Sequence, residues 1–146
     1  MDDLKELYQQ MILDHNQNPQ NFREMENATS KAEGHNPLCG DEITLFLHVE
    51  NEKITDVSFL GSGCAISKAS ASIMTTLLIG KSVEMAESLF EKFHTMITTG
   101  EISEDMGKLT VLAGVHKFPS RVKCAVLSWH TMNNALHGNT NLTTTE

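Results

Sequence analysis

Ile43, Leu45, Leu47 and Val49 alternate with Thr44, Phe46, His48 and Glu50, the period of two that turns one face of a strand toward a core. Asn51 to Lys53 supplies a turn, and Ile54, Val57 and Phe59 form the return, so the chain commits here to an antiparallel β-hairpin. The alternation slips at Thr55-Asp56, which predicts a bulge. Gly61-Ser62-Gly63 then breaks the second strand. A two-stranded hairpin is marginal in water by itself, so its apolar face needs a cover, and the segments after it in the chain are helical.

Ala65 to Ile79 is a run of small and apolar residues ended by Gly80, which suits a helix buried on most faces. After Ser82 a second helix puts Met85, Ala86, Leu89, Phe90, Phe93, Met96 and Ile97 on one buried stripe and closes at Gly100. A shorter helix runs from about Met106 to Val115. Phe118-Pro119-Ser120 introduces the last, with Ser120 as the expected N-cap and Val122, Ala125, Val126, Trp129, Met132 and Leu136 facing the core. Ahead of the hairpin, Leu4, Leu7, Tyr8, Met11, Ile12 and His15 mark an amphipathic helix that Asn18-Pro19 ends. Asn21 to Asn36 is polar and poorly periodic and reads as irregular, with a short strand near Asn27 to Ala32. The order of elements gives an α+β fold: a small antiparallel sheet of about three strands covered by helices. With 146 residues, 40% of them hydrophobic, a single domain over residues 1–138 is expected, followed by a disordered tail at 139–146.

Eleven Lys and Arg against nineteen Asp and Glu leave a formal charge of −8, a field that repels phosphate backbones and anionic lipid. Nucleic acid and membrane surfaces are therefore poor partners. No apolar run reaches the length of a membrane span, and Met1-Asp2-Asp3-Leu4-Lys5-Glu6 is acidic where a signal peptide is basic, so a cytoplasmic protein is expected. Three cysteines are an odd number, and a reducing compartment leaves them as free thiols for metal binding, nucleophilic chemistry or burial.

Each cysteine stands at an element boundary, where rigid neighbours hold a side chain that a partner can still reach. Cys39 and Asp41 flank Gly40 just before the first clear strand. Cys64 comes directly after the glycine break at a helix start, where free N–H groups favour a thiolate. Cys124 lies in the first turns of the last helix, on a face with Arg121 and off the apolar stripe. Three thiolates and a carboxylate make the four ligands that tetrahedral zinc accepts. Such a centre carries a net charge near −2, which Arg121 and Lys123 are placed to offset if they turn toward it. No C-x-x-C pair is present, so spacing alone leaves simple burial of the thiols open. His35, four residues before Cys39, is within reach of the same point, while the other histidines fall on outer faces or helix edges and ends. Met85 and Met96 read as packing residues.

Three segments resemble, in order, the three cysteine motifs of the IscU/NifU-like proteins of iron-sulfur cluster assembly. They are Asn36-Pro37-Leu38-Cys39-Gly40-Asp41, Gly61-Ser62-Gly63-Cys64-Ala65-Ile66-Ser67-Lys68-Ala69-Ser70 and Arg121-Val122-Lys123-Cys124-Ala125. The match spans nearly the whole chain. Within that superfamily the chain looks like the SufU branch of zinc-dependent sulfurtransferases. Lys123 stands where IscU scaffolds usually carry histidine, and Gly80 to Glu101 looks like the extra stretch of the SufU branch. The resemblance implies a SufE/NifU-type fold and a zinc ion held by Cys39, Asp41, Cys64 and Cys124. It also implies that Cys39 receives sulfane sulfur from the persulfide of a SufS-type cysteine desulfurase, a histidine of which takes a zinc position and frees that cysteine. Downstream Suf cluster-assembly proteins are implied as further partners, and Arg121 becomes a candidate for orienting the site or the desulfurase. Such a protein consumes no substrate alone. The alternative is a scaffold that builds an iron-sulfur cluster, or holds iron, on Cys39, Cys64 and Cys124.

Overall fold

The hairpin forms as its alternation dictates. In the computed structural model, which describes residues 2–104, 106–138 and 142–144, strand β2 (Asp41–Glu50) pairs antiparallel with β3 (Lys53–Ser62). Asn51 and Glu52 take φ of 50° and 63° between them, the left-handed pair of a tight hairpin turn. The register shifts where His48 faces Asp56 and Val49 faces Ile54, leaving Thr55 as the extra residue of the expected bulge. Ile43, Leu45, Leu47, Val57 and Phe59 are buried on the inner face.

The segment expected to be irregular apart from a short strand near Asn27 to Ala32 holds a full third strand, β1 (Ser30–Asn36), antiparallel to β2 with Ala32 opposite Leu45 and Asn36 opposite Asp41. Its inward residues are Ala32, Gly34 and Asn36, so it lacks the large apolar side chains that make a strand visible in sequence. Their smallness has a cause: a Cβ on Gly34 would run into Thr131 and Leu127 of the last helix. The sheet is also not purely antiparallel, nor three-stranded. Strand β4 (Thr143–Thr144) lies parallel to β1 beside Gly34 and His35, giving the order β3-β2-β1-β4. This short strand falls within the segment expected to be a disordered tail, where a hydrogen bond from Asn134 to Thr143 ties it down. Residues 139–141 and 145–146 lie outside the described residues.

Phe46 and Ser58, on the outer face, are nonetheless buried. Residues 18–29 cross that face as a strap, from the bond between Phe59 N–H and Asn21 O to the bond between Thr29 N–H and Leu47 O. Arg23 pairs with Asp56 at 2.7 Å, His48 Nδ1 lies 2.6 Å from Asn27 O, and Met25 is buried along the strap's path.

Helices α2 (Ala65–Leu78) and α4 (Pro119–Leu136) lie side by side on the inner face. Between them the Ser70 hydroxyl donates to Ala125 O at 2.6 Å and accepts from Trp129 Nε1 at 3.2 Å. Helix α3 (Val83–Thr99) covers α4 through a stack of Phe93 on Trp129, centroids 4.6 Å apart. Its expected stripe is buried at Ala86, Phe93, Met96 and Ile97, but Met85 is 56% exposed because it sits in the first turn, where its N–H bonds to the capping Ser82. Helix α1 (Asp2–Gln17) lies against α2, and the expected burial of Leu4, Leu7 and Tyr8 falls outside the described side chains.

The expected short helix is present as a 3₁₀ segment, Gly107–Lys117, and one further expectation is corrected. Met106, Leu109, Leu112 and Val115 are buried at intervals of three, the repeat of a 3₁₀ turn. Ser120 lies inside α4 and does not cap it; the chain enters at Phe118, and Pro119 takes the first helical position, where its fixed φ and missing N–H cost nothing. No helix among the described residues is long and apolar enough to cross a membrane.

Candidate metal centre

The three cysteines come from three separate junctions that meet at one end of the sheet. Asn36 and Asp41 pair across the ends of β1 and β2, and Pro37, Leu38, Cys39 and Gly40 form the loop between them. Gly40 has a φ of 72°, which turns the chain back sharply between the two donors. Cys39 is exposed at this loop and Leu38 beside it is 63% exposed, whereas Asp41, the first residue of β2, is fully buried.

Cys64 is the N-cap of α2. Its backbone N–H donates to Asp41 Oδ1 at 2.8 Å and its Sγ accepts from Ser67 N–H at 3.4 Å. Gly63 makes this approach possible, because a Cβ there would strike Asp41. Cys124, on α4, is 2% exposed, and its Sγ lies 3.2 Å from Cys39 Sγ.

Donor atoms of Cys39, Asp41 and Cys124 all lie within 4.8 Å of one another. Cys64 Sγ lies 3.9 Å from Asp41 Oδ2 but is turned to cap α2, so it borders the triad without completing it in this conformation. Three of the four residues singled out as metal ligands, Cys39, Asp41 and Cys124, therefore meet at one point, and the fourth, Cys64, stands at its border. His35 does not join them: the alternation of β1 carries it to the outer face, opposite Glu42.

The donor set fits a cation. Burial pushes the Cys124 thiol far above its usual range, and Asp41, Cys39 and Cys64 add to that shift. Asp41 is buried beside these three acids with no ion-pair partner among the described residues. Arg121 does not turn inward to compensate; its guanidinium carbon stands 4.6 Å over the Phe118 ring on the exposed side of α4. A divalent ion bound to soft thiolates and one carboxylate would supply the missing positive charge.

Asn36 is the residue that sequence reasoning missed. It is completely buried, and its Nδ2 lies 3.3 Å from Asp41 Oδ2 and 3.5 Å from Cys124 Sγ. The one available signal is an asparagine at an inward position of a strand ending at the first cysteine loop.

Residues 7–136 match the NifU-like N terminal domain. The chain belongs to that family. It is 41% identical over 131 residues to the zinc-dependent sulfurtransferase SufU of Bacillus subtilis, covering 88% of each protein. It is 44% identical over 136 residues to the iron-sulfur cluster assembly scaffold protein IscU of Thermotoga maritima, covering 90% of this chain and 94% of that one. Among solved structures, a SufU from Fervidobacterium islandicum, described as an assembly scaffold of the SUF system, superposes with a TM-score of 0.82 at 37% identity, over 86% of this chain and 93% of the other. The family is one of iron-sulfur cluster assembly, and its members here carry both names, scaffold and sulfurtransferase.

Proposed function

We propose that this protein is a zinc-dependent sulfur-transfer protein of iron-sulfur cluster assembly, accepting sulfane sulfur on Cys39 from the persulfide of a SufS-type cysteine desulfurase. The observation that carries the reading is the inequality of the donors: Cys39 is exposed, Cys64 is half-buried, and Asp41 and Cys124 are buried behind them. One thiol can meet a sulfur atom presented by another protein while the rest stay in place. Zinc on Cys39, Asp41, Cys64 and Cys124 would keep the thiols deprotonated and protect them from oxidation.

In the transfer, the Cys39 thiolate attacks the terminal sulfur of the donor persulfide. A bond forms between Cys39 Sγ and that sulfur as the donor's S–S bond breaks, and its electron pair leaves on the donor cysteine as thiolate. Cys39 is left as a persulfide, with no net oxidation or reduction. Leu38, Phe118 and Arg121, all exposed, supply an apolar and cationic rim for the desulfurase, and Arg121, one turn before Cys124, is our candidate for orienting it.

The second reading, a scaffold holding an iron-sulfur cluster on Cys39, Cys64 and Cys124, draws on the likeness to the Thermotoga maritima scaffold protein. Lys123 before the third cysteine and the α3 segment favour sulfur transfer. Elemental analysis of the purified protein separates the two: about one zinc per chain without colour supports transfer, whereas iron with matching sulfide and visible absorption supports the scaffold. Mass spectrometry after incubation with desulfurase and cysteine should then find a persulfide on Cys39. Stimulation of the desulfurase that survives Cys39→Ser would exclude Cys39 as the acceptor.

A further inference from the structure

We infer that Asn36 is the positioning residue of the centre: its side-chain amide clamps Asp41 to Cys124, so that the exchangeable place falls to Cys39. The inference rests on the proposed zinc centre and extends it to how the four ligands are ranked.

The register of β1 against β2 delivers Asn36 inward, directly beside Asp41. Its Nδ2 is the one side-chain nitrogen among the described residues placed between two of the acidic donors, Asp41 Oδ2 at 3.3 Å and Cys124 Sγ at 3.5 Å. The other end of the amide, Oδ1, is buried with no hydrogen-bond partner among the described residues. An unpaired buried carbonyl oxygen is destabilising. Rotating the amide by half a turn would not relieve it, because the oxygen would then face the Asp41 carboxylate. The carboxylate thus holds the donor end where it is, and the cost of the stranded oxygen is borne for its sake.

The remaining support is uneven in the same sense. Asp41 receives a second hydrogen bond, from Cys64 N–H at 2.8 Å, and Cys64 Sγ receives one from Ser67 N–H at 3.4 Å. Cys39 Sγ receives none from any amide or backbone group among the described residues; its neighbour is Cys124 Sγ at 3.2 Å. Groups that hydrogen-bond a metal's ligands orient them and strengthen their hold. Three ligands have such support and the exposed fourth lacks it, so displacement falls on Cys39.

The test compares the wild-type protein with Asn36→Leu, a near-isostere without polar atoms, and Asn36→Ala, each shown by circular dichroism to be folded when metal-free. Zinc affinity is read by competition with a chromogenic chelator. Alkylation of the zinc-loaded proteins with iodoacetamide, with peptide mass mapping afterwards, reads the order in which the cysteines are released. We expect Cys39 to react first in the wild type. In both variants zinc binding should weaken about 10- to 100-fold, and Cys124 should lose its protection relative to Cys39. A pure packing role moves neither quantity in Asn36→Leu, so folded variants with affinity within about twofold of wild type and an unchanged alkylation order overturn the inference. A wild-type protein that takes up no zinc overturns the metal reading itself, and this inference with it.

Discussion

Helices α2 and α4 bring buried polar groups together twice and treat them in opposite ways. Deeper in the domain, Ser70 gives its hydrogen to Ala125 O and takes one from Trp129 Nε1, and the Phe93 ring closes over the indole. Every group in that arrangement is satisfied from within. Where the same helices begin, Asp41, Cys124, Cys39 and Cys64 bring four acidic donors together without a cation, and Asn36 is left with an unpaired oxygen. The first arrangement is satisfied as folded; the second gathers donors of the kind that hold a metal ion. Perturbed groups of that kind cluster at functional sites.

Mutation should separate the two regions. Trp129→Ala strips the largest fully buried side chain from the satisfied region and is expected to cost about 3–5 kcal/mol in urea unfolding. Ser70→Ala leaves the Trp129 N–H without its acceptor and should cost about 1–3 kcal/mol. Zinc affinity of whatever fraction stays folded should be little changed by either, and a variant that keeps its stability but loses zinc would erase the distinction.

Acid gives a smaller effect that can be measured on the metal-free protein, where ligand protonation does not intrude through metal loss. Burial, with Lys108 nearby, lowers the pKa of His15 below 6.5, and burial with His94 nearby does the same to His130. The unfolded chain then takes up these protons more readily than the folded one, so stability contributed by the neutral rings is present above pH 6.5 and declines as pH falls below it. His48, raised by its bonds to Glu50 and Asn27, acts in the other direction, but its partner Glu50 is exposed and solvent screens the pair. Thermal melts at about pH 7.5 and about pH 5.5, on either side of the unperturbed histidine range, should show the loss, and His130→Gln should flatten it. The smallest change in stability, within about 0.5 kcal/mol for the metal-free protein, is expected for Cys39→Ser at its exposed position. The same variant should lose persulfide acceptance entirely, the widest gap between stability and function in the molecule.

Much of the fold is legible in the sequence where periodicity is local. The hairpin, its bulge at Thr55 and the core stripes of α3 and α4 are repeats of two or three to four residues, and the chain obeys them. Strand β1 shows in the sequence only at its start, within the expected Asn27 to Ala32, because the residues it buries, Ala32, Gly34 and Asn36, are small or polar to admit α4. The 3₁₀ segment resembles an α-helix in composition, although its spacing of three, Met106, Leu109, Leu112 and Val115, stands in the sequence. Of the centre, the four candidate ligands are legible through their junctions and motifs, while proximity in sequence offers His35 a place that strand alternation denies it.

By itself, then, the sequence determined which segments are strands and helices wherever the buried residues are large, that three cysteines stand at their junctions, and which family's motifs they carry, since each of these is written in neighbouring residues. The tertiary structure alone decided that Cys39 stays exposed while Cys124 is buried against it, that Arg121 stacks on Phe118, and that Asn36 reaches both Asp41 and Cys124. The last of these joins residues 88 positions apart. No local pattern encodes such a contact; it exists because α4 crosses the end of β1 closely enough for an amide to lie between a carboxylate and a thiol.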